Sequence, residues 1–195
     1  MSIFFLFFPC IQVVVHVHIR FGDFVQLQNL GTSAFLAIRP QGGKNSTSKT
    51  EVITTTLIKD TELYWGFFPS DIFLVSSKKI KCNSIITIQN SKYASFLNTY
   101  MLLDKPLVSL TQYVGTASGL WNLSCISPDE IYMKKGTIVQ FKNTLYNCYL
   151  SSNFDTPSNE NFQNSWALNC INENTQNTLW KADKGLFFVE KTFKS

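Results

Sequence analysis

A short motif occurs three times in this sequence: FVQLQN at Phe24–Asn29, IITIQN at Ile85–Asn90 and IVQFKN at Ile138–Asn143. Each copy is an apolar-rich run that ends in asparagine, the pattern of a strand that enters a turn. In every copy an aromatic residue and a leucine follow, starting six residues after the asparagine: Phe35-Leu36, Phe96-Leu97 and Tyr149-Leu150. A tryptophan comes later in each repeat, at Trp65, Trp121 and Trp180. The chain is therefore predicted to consist of three similar units.

The spacing of the repeats predicts an all-β fold. The motifs start 61 and 53 residues apart, which leaves room for about four strands in each repeat and about twelve in all. No stretch keeps a helical periodicity for three turns. We expect a β-trefoil, in which six strands close a barrel and three hairpins cap one end, because a closed barrel leaves no exposed strand edges. The repeats should span about residues 22–80, 81–134 and 135–191.

The repeated leucines and tryptophans are interpreted as core residues rather than ligand contacts. In a trefoil Leu36, Leu97 and Leu150 would meet on the pseudo-threefold axis, and each tryptophan would pack within its repeat. The connections rich in Ser, Thr, Asn and Gly should be surface loops, which a ligand would contact first: Gln41–Thr50, Met101–Gly119 and Asn153–Ser165.

The composition is that of a folded protein that does not bind nucleic acid. Only 15% of the residues are charged and 14% are aromatic, which argues against disorder and against a coiled coil. The net charge is +4, and the basic residues are spread along the chain. The one tight basic group, Ser77–Lys81, is interpreted as a solvated strand edge or loop, because nucleic-acid binding requires a clustered basic face.

The N-terminus is almost wholly apolar from Ile3 to Val15. A helix needs about twenty such residues to cross a bilayer, so this run fits the hydrophobic region of a secretory signal better. We expect residues 1–20 to be a signal segment and residues 21–195 to form the domain. No Lys or Arg precedes the run and no small-x-small cleavage site precedes Arg20. An additional N-terminal strand therefore stays an alternative, as does an uncleaved anchor, which would be the chain's only attachment to a membrane.

The five cysteines, Cys10, Cys82, Cys125, Cys148 and Cys170, form no zinc-binding spacing, and the two histidines, His16 and His18, lie in the predicted leader. We therefore expect no metal and no other cofactor. Loss of Cys10 with the leader would leave four cysteines, an even number that suits an oxidising compartment. Asn45 and Asn122 stand in N-x-S/T sequons and are weak candidates for glycosylation.

The pattern of a hairpin, a second strand that begins with leucine and a later tryptophan resembles the MIR repeat, most typically in GTIVQFKNTLYNCYLSS at 136–152. Over about residues 22–190 the chain resembles the stromal cell-derived factor 2 family, small lumenal proteins made of a leader and three MIR repeats. The family's usual histidine after the Leu-x-Ser motif is missing, because Arg39, Tyr100 and Asn153 stand at those positions. The polar role of that motif therefore cannot be transferred to this chain.

Cys82 and Cys125 fall where this family has cysteines, and they flank the second repeat. We predict a Cys82–Cys125 disulfide, with two buried free thiols as the alternative. Cys148 and Cys170 offer less reason to pair, so their state stays open.

The resemblance implies a non-catalytic protein of the endoplasmic reticulum lumen or of the secreted fraction. Its role would be to assist folding and quality control with lumenal Hsp70 and J-domain chaperones, or alongside protein O-mannosylation. An enzyme is not expected, because a catalytic Ser or Cys would lack an imidazole partner. The alternative is a secreted or cell-surface lectin-like trefoil that binds glycans through loop aromatics such as Tyr100 and Tyr113. The Gln-x-Trp signature of ricin-type trefoils is absent, since Leu63, Gly119 and Thr178 precede the tryptophans by two residues.

Overall fold

A computed structural model of the chain describes residues 17–41, 49–57, 63–70, 78–157 and 164–187. The regular structure of these residues is almost entirely extended, with two short 3₁₀ turns at Ala117–Gly119 and Gln176–Thr178. The twelve strands are β1 (Phe24–Asn29), β2 (Phe35–Gln41), β3 (Lys49–Thr55), β4 (Tyr64–Pro69), β5 (Ser84–Asn90), β6 (Phe96–Leu102), β7 (Lys105–Thr111), β8 (Trp121–Cys125), β9 (Ile138–Asn143), β10 (Tyr149–Pro157), β11 (Ser165–Ile171) and β12 (Trp180–Leu186). The expected all-β class and strand number are confirmed. The described residues include no helix that is long and apolar enough to cross a membrane.

Six of the strands close into a ring of antiparallel pairs. The order around the ring is β1, β4, β5, β8, β9, β12 and back to β1. The other six strands form three hairpins, β2–β3, β6–β7 and β10–β11, each joined to the ring through its first strand. The third hairpin contacts the other two through β11, which pairs with both β3 and β7.

The interior of the ring is filled by side chains that alternate along its strands, as the period of an extended chain requires. Each of the three repeated motifs sends two fully buried apolar residues inward: Val25 and Leu27, Ile86 and Ile88, and Val139 and Phe141. The rings of Phe67 and Phe141 stack across the interior with their centroids 5.9 Å apart. The repeated Leu36, Leu97, Leu150, Trp65, Trp121 and Trp180 are all fully buried in the same cluster.

Each tryptophan also makes the same hydrogen bond within its own repeat. The indole Nε1 donates to the carbonyl oxygen of the repeat's core leucine, from Trp65 to Leu36, from Trp121 to Leu97 and from Trp180 to Leu150, at 2.9, 3.2 and 3.0 Å. A buried indole N–H without an acceptor would cost about 1–3 kcal/mol. The tryptophan therefore fixes the hairpin to the ring through packing and through a polar contact together.

The asparagine that ends each motif joins one repeat to the repeat before it. Asn29, Asn90 and Asn143 are fully buried. Their Nδ2 atoms donate to main-chain oxygens just before the previous repeat's tryptophan, at Leu179, Tyr64 and Leu120 respectively. Their Oδ1 atoms accept from the main-chain N–H three residues ahead, at Thr32, Tyr93 and Tyr146. The asparagines thus close a cycle of contacts through all three repeats.

A second cycle closes the end of the ring where the chain enters. Ile19 donates its main-chain N–H to the Met133 oxygen at 2.9 Å, Ile80 donates to Ile19 at 3.0 Å, and Met133 donates to Ile80 at 2.9 Å. The three side chains are fully buried, and each residue precedes the start of its motif by five positions. We call these three residues the plug triad.

The plug triad shows that the domain includes residues before the boundary that we expected. Residues 17–20 are bonded into the fold, so the domain includes four residues that we expected to lie before its boundary at residue 21. His18, which we had placed in the leader, forms a β-bridge with Lys134. The rest of the predicted signal segment, residues 1–16, lies outside the described residues.

Replacement of Leu150 with alanine should lower the free energy of unfolding by about 2–5 kcal/mol, because burial is lost and a cavity remains. The same change at Leu103, which is 89% exposed, should cost less than about 0.5 kcal/mol. Urea unfolding of both variants measures the difference. Equal effects at the two leucines would contradict the assignment of Leu150 to the core.

A chain that begins at Phe21 should be less stable than one that begins at Val17. It lacks Ile19, whose burial alone contributes about 1.5–3 kcal/mol. It also leaves the main-chain N–H of Ile80 without its acceptor. Thermal unfolding of the two purified chains, compared at one concentration, tests this. If both chains melt at the same temperature, the plug triad does not stabilise the fold.

Candidate functional site

The hairpin end of the molecule carries a hollow of about 490 Å³. Most of its lining comes from β3, β7 and β11, each the second strand of a hairpin, and Tyr100 of β6 completes it. Each repeat contributes one apolar residue to the wall from an equivalent position: Val52, Val108 and Leu168. In each hairpin this residue pairs, on the neighbouring strand, with the residue two places after the core leucine. The hollow therefore lies where the three repeats meet.

The rim of the hollow is polar and carries one aromatic side chain. Thr50, Glu51, Ser109 and Asn169 supply hydroxyl, carboxylate and amide groups, and Tyr100 supplies a ring that is 41% exposed. Glu51 forms an ion pair with Arg39 on the paired strand β2. Such a rim can hydrogen-bond a polar ligand and stack against an apolar face of it. The described residues contain no group of His, Cys, Asp and Glu side chains arranged to hold a metal ion.

Beside the hollow, the tip of hairpin β6–β7 is apolar and exposed. Met101, Leu102 and Leu103 are 44, 51 and 89% exposed and follow Tyr100 directly. We call Tyr100–Leu103 the apolar tip. Leu103 and Asp104 both have positive φ, at 47° and 62°, in the two-residue turn between the strands. Such a turn normally has Asn and Gly there, and a leucine in this conformation costs about 1–2 kcal/mol.

The two unfavourable features of the apolar tip occur at the same residue. Leu103 is both strained in its backbone and almost fully exposed, so neither its conformation nor its packing explains a leucine there. A side chain that gains nothing within the domain is a candidate for contact with another molecule. The sequence analysis did not identify Leu103 as a candidate. The feature that could have indicated it is the pair of leucines before Asp104, at a position where a hairpin turn usually has polar residues.

The other candidate residues are placed as follows. Tyr113 is 77% exposed but does not line the hollow. Asn122 is half-buried in β8 between partners on β5 and β9. Asn45 lies outside the described residues.

The four cysteines of the described residues form two disulfides. Cys82 and Cys125 are joined, with Cα atoms 5.4 Å apart, between the chain entering repeat two and the end of β8. Cys148 and Cys170 are also joined, with a Cα separation of 5.3 Å, and both are buried. The sequence left the second bond open, because the bond depends on the register between β10 and β11. That register pairs Cys170 with Leu150, which lies two residues after Cys148.

No known family profile matches this sequence, and no curated protein is similar to it in sequence. Solved structures are similar in fold. An SDF2-like protein from Arabidopsis thaliana superposes with a TM-score of 0.73 at 17% identity, covering 88% of this chain and 98% of that one. This chain has the fold of an SDF2-like protein. The fold that the resemblance to the stromal cell-derived factor 2 family implies is thereby confirmed.

Two further structures share this fold over most of the present chain. The protein O-mannosyltransferase Pmt1-Pmt2 complex of S. cerevisiae, bound to its sugar donor, gives a TM-score of 0.75 at 13% identity over 91% of this chain. The match covers only 27% of that chain. ThreeFoil, a designed protein with threefold symmetry, gives a TM-score of 0.56 at 13% identity over 83% of this chain and 98% of its own.

Replacing Cys82 and Cys125 together with serine should lower the free energy of unfolding by about 4 kcal/mol, since the bond closes a loop of 43 residues. Denaturant unfolding under oxidising conditions measures the loss. With excess reductant present, the variant and the parent chain should unfold at nearly the same denaturant concentration. A variant as stable as the oxidised parent would show that the two thiols do not pair in solution.

Proposed function

We propose that this chain is a β-trefoil of three MIR-type repeats that acts, without catalysis, in the secretory pathway. It would assist protein folding and quality control with lumenal Hsp70 and J-domain chaperones, or alongside protein O-mannosylation. The observation that carries the proposal is the superposition on an SDF2-like protein over 98% of that protein's length. The cyclic contacts of the asparagines and of the plug triad support the assignment of three equivalent repeats.

The two disulfides support a place in the lumen of the endoplasmic reticulum or among secreted proteins. Disulfides persist in oxidising compartments and are rare in the cytosol, where thiols are kept reduced. The bonds Cys82–Cys125 and Cys148–Cys170 involve every cysteine of the described residues. The apolar run from Ile3 to Val15 agrees with entry into that pathway.

A binding role without catalysis fits the chemistry of the hollow. Its rim holds carboxylate, hydroxyl and amide groups, but no histidine among its lining residues to activate a nucleophile. His18 lies at the opposite end of the ring, beside Lys134. We therefore assign the hollow and the apolar tip to partner contact.

The apolar tip is the part of this surface that a protein partner would bury. Tyrosine and methionine are enriched in protein interfaces, and exposed apolar side chains beside them mark a surface that a partner can cover. Leu103→Asn suits the test, because asparagine tolerates positive φ better than leucine does. Combined with Leu102→Ser, it removes apolar surface without changing a residue of the hydrophobic core.

In native secretory cells, proximity labelling with this chain as bait should enrich lumenal Hsp70 and J-domain proteins or O-mannosyltransferase subunits. The Leu102→Ser and Leu103→Asn double variant should lose most of that enrichment, roughly tenfold for about 1.4 kcal/mol of lost contact. The matched control replaces Leu57 and Leu145, which are 54 and 53% exposed elsewhere, with serine and asparagine. Enrichment that is unchanged in the tip variant, or that consists of cytosolic proteins, would contradict the proposal.

The lectin-like alternative is favoured by one observation, the stacking surface of Tyr100 beside the polar rim of the hollow. The same purified chain discriminates the two functions. A saccharide that shifts the NMR resonances of Tyr100 and Ser109, with no chaperone or mannosyltransferase enriched in cells, would establish glycan binding instead.

A further inference from the structure

The second hairpin, β6–β7, is held less firmly by its neighbours than the other two hairpins are. The first and third hairpins brace each other, because β3 pairs with β11 over Ile53–Thr55 and Ser165–Ala167. Among the described residues, the second hairpin pairs with β5 only at Phe96 and with β11 only at Leu107. Its outer half is therefore a two-stranded ribbon, a structure that is marginally stable in water without further cover.

The register of this hairpin determines which main-chain groups point outward. A two-residue turn makes the residues that flank it, Leu102 and Lys105, a hydrogen-bonded pair, and bonded and non-bonded pairs alternate from there. Met101 and Pro106 form the next, non-bonded pair. The main-chain N–H and C=O of Met101 therefore point away from β7, and the nitrogen of Pro106 points away from β6.

The two edges of the ribbon are protected unequally. On the β7 edge, Pro106 has no N–H to offer and the exposed Lys105 precedes it. The same edge is bridged to β11 at Leu107. Proline and lysine are residues with which natural sheets prevent another strand from pairing with an edge. On the β6 edge, Thr99–Leu102 contains no charge, no proline and no glycine, and in the described part of the chain β7 is the only strand that pairs with it.

The unprotected edge is apolar on both faces of the ribbon. Because side chains alternate along a strand, Tyr100 and Leu102 point to one face and Met101 to the other. All three are exposed. Tyr100 also lines the hollow, so this edge lies beside the hollow's rim. Leu103 continues the apolar surface around the turn, which accounts for a leucine at this exposed position.

We propose that the β6 edge binds an extended segment of an unfolded polypeptide as an additional antiparallel strand. The inference rests on the proposed role in protein folding, and it names the partner that covers the apolar tip. Hydrogen bonds from the main chain of Met101 do not depend on the partner's sequence, and apolar side chains on both faces suit the alternating side chains of an apolar segment. Chaperones would then meet this chain through a common unfolded substrate.

The size of the apolar tip favours a flexible segment over a second folded protein. A stable interface between folded proteins uses about 20–30 residues on each side, far more than Tyr100–Leu103 provides. Strand addition needs less surface, because main-chain hydrogen bonds supply much of the affinity. A second copy of this chain is therefore a poorer occupant of the edge than an unfolded segment.

Fluorescence anisotropy of a labelled peptide with alternating valine and threonine tests the proposal on the purified full chain. Met101→Pro removes the outward N–H but no hydrogen bond to β7, because the pair with Pro106 is a non-bonded one. It should weaken binding about tenfold, as expected for one lost main-chain hydrogen bond and a ring in the path of the added strand. The matched control, Met101→Thr, removes the same side chain but keeps the N–H, so it should weaken binding less.

A peptide that is N-methylated at every residue keeps the side chains but has no N–H, so it should not bind. This result does not depend on the folding of any variant. Equal binding of the methylated and unmodified peptides, or of the Met101→Pro and parent chains, would overturn strand addition. So would a chain that dimerises through the apolar tip and ignores the peptide, since the edge would then serve a second copy. If no peptide binds while the Leu102→Ser and Leu103→Asn variant still loses its chaperone enrichment in cells, strand addition fails and the proposed function stands.

Discussion

The fold depends on buried asparagines that hold neighbouring repeats together. A barrel made from three separate units needs polar contacts that fix their order, because apolar packing alone allows units to slide. Asn29, Asn90 and Asn143 supply them by donating to the main chain of the preceding repeat and accepting from their own turn. A buried amide that lost either contact would cost about 1–3 kcal/mol. The requirement for both contacts explains why each motif ends in this residue type.

The second cycle, the plug triad, uses the same logic at the other end of the ring. Each member donates a main-chain N–H to the preceding member and buries its side chain beneath the strands. Both cycles run in the same direction, from each repeat to the one before it, and both use the first repeat to bind the third. The ring is thus closed by contacts between residues that lie more than a hundred positions apart in sequence. Such contacts carry a loop-closure entropy, and the disulfides that shorten the loops of repeats two and three reduce it.

Sequence reasoning reached the strand content and the core but missed what depends on three-dimensional neighbours. The motif that ends in Asn29, Asn90 and Asn143 was visible because its apolar alternation and its turn are local. Ile19 was assigned to the leader because an apolar run precedes it, although it stands five residues before its motif as Ile80 and Met133 do. That common offset was a readable signal, and its use would have started the first repeat earlier.

The cluster of basic residues beside the plug triad could not be read in the same way, because its members come from segments that lie 50 to 60 residues apart in sequence and meet only in the folded chain. Along the chain they appear as dispersed charge and one short cluster. The Cys148–Cys170 bond depends equally on a pairing register that no local pattern sets. Residue chemistry at a repeated position is therefore informative only once the repeats are superposed in space.

The two ends of the ring differ in chemistry because hairpins cover one end and short bridged segments cover the other. At the hairpin end, three strand pairs meet imperfectly: β11 pairs with β3 over Ser165–Ala167 but with β7 at Asn169 alone. The mismatch leaves a hollow, and its rim can vary without disturbing the asparagine cycle. At the opposite end, three short extended segments bridge one another across the ring, and every second side chain of an extended segment points outward. A fold whose core is fixed by its repeats can therefore carry two separate surfaces of different chemistry, one recessed and polar with an apolar tip, the other cationic. Neither surface includes the repeated Leu and Trp positions, so the residues that define the fold are not the ones that would meet a partner.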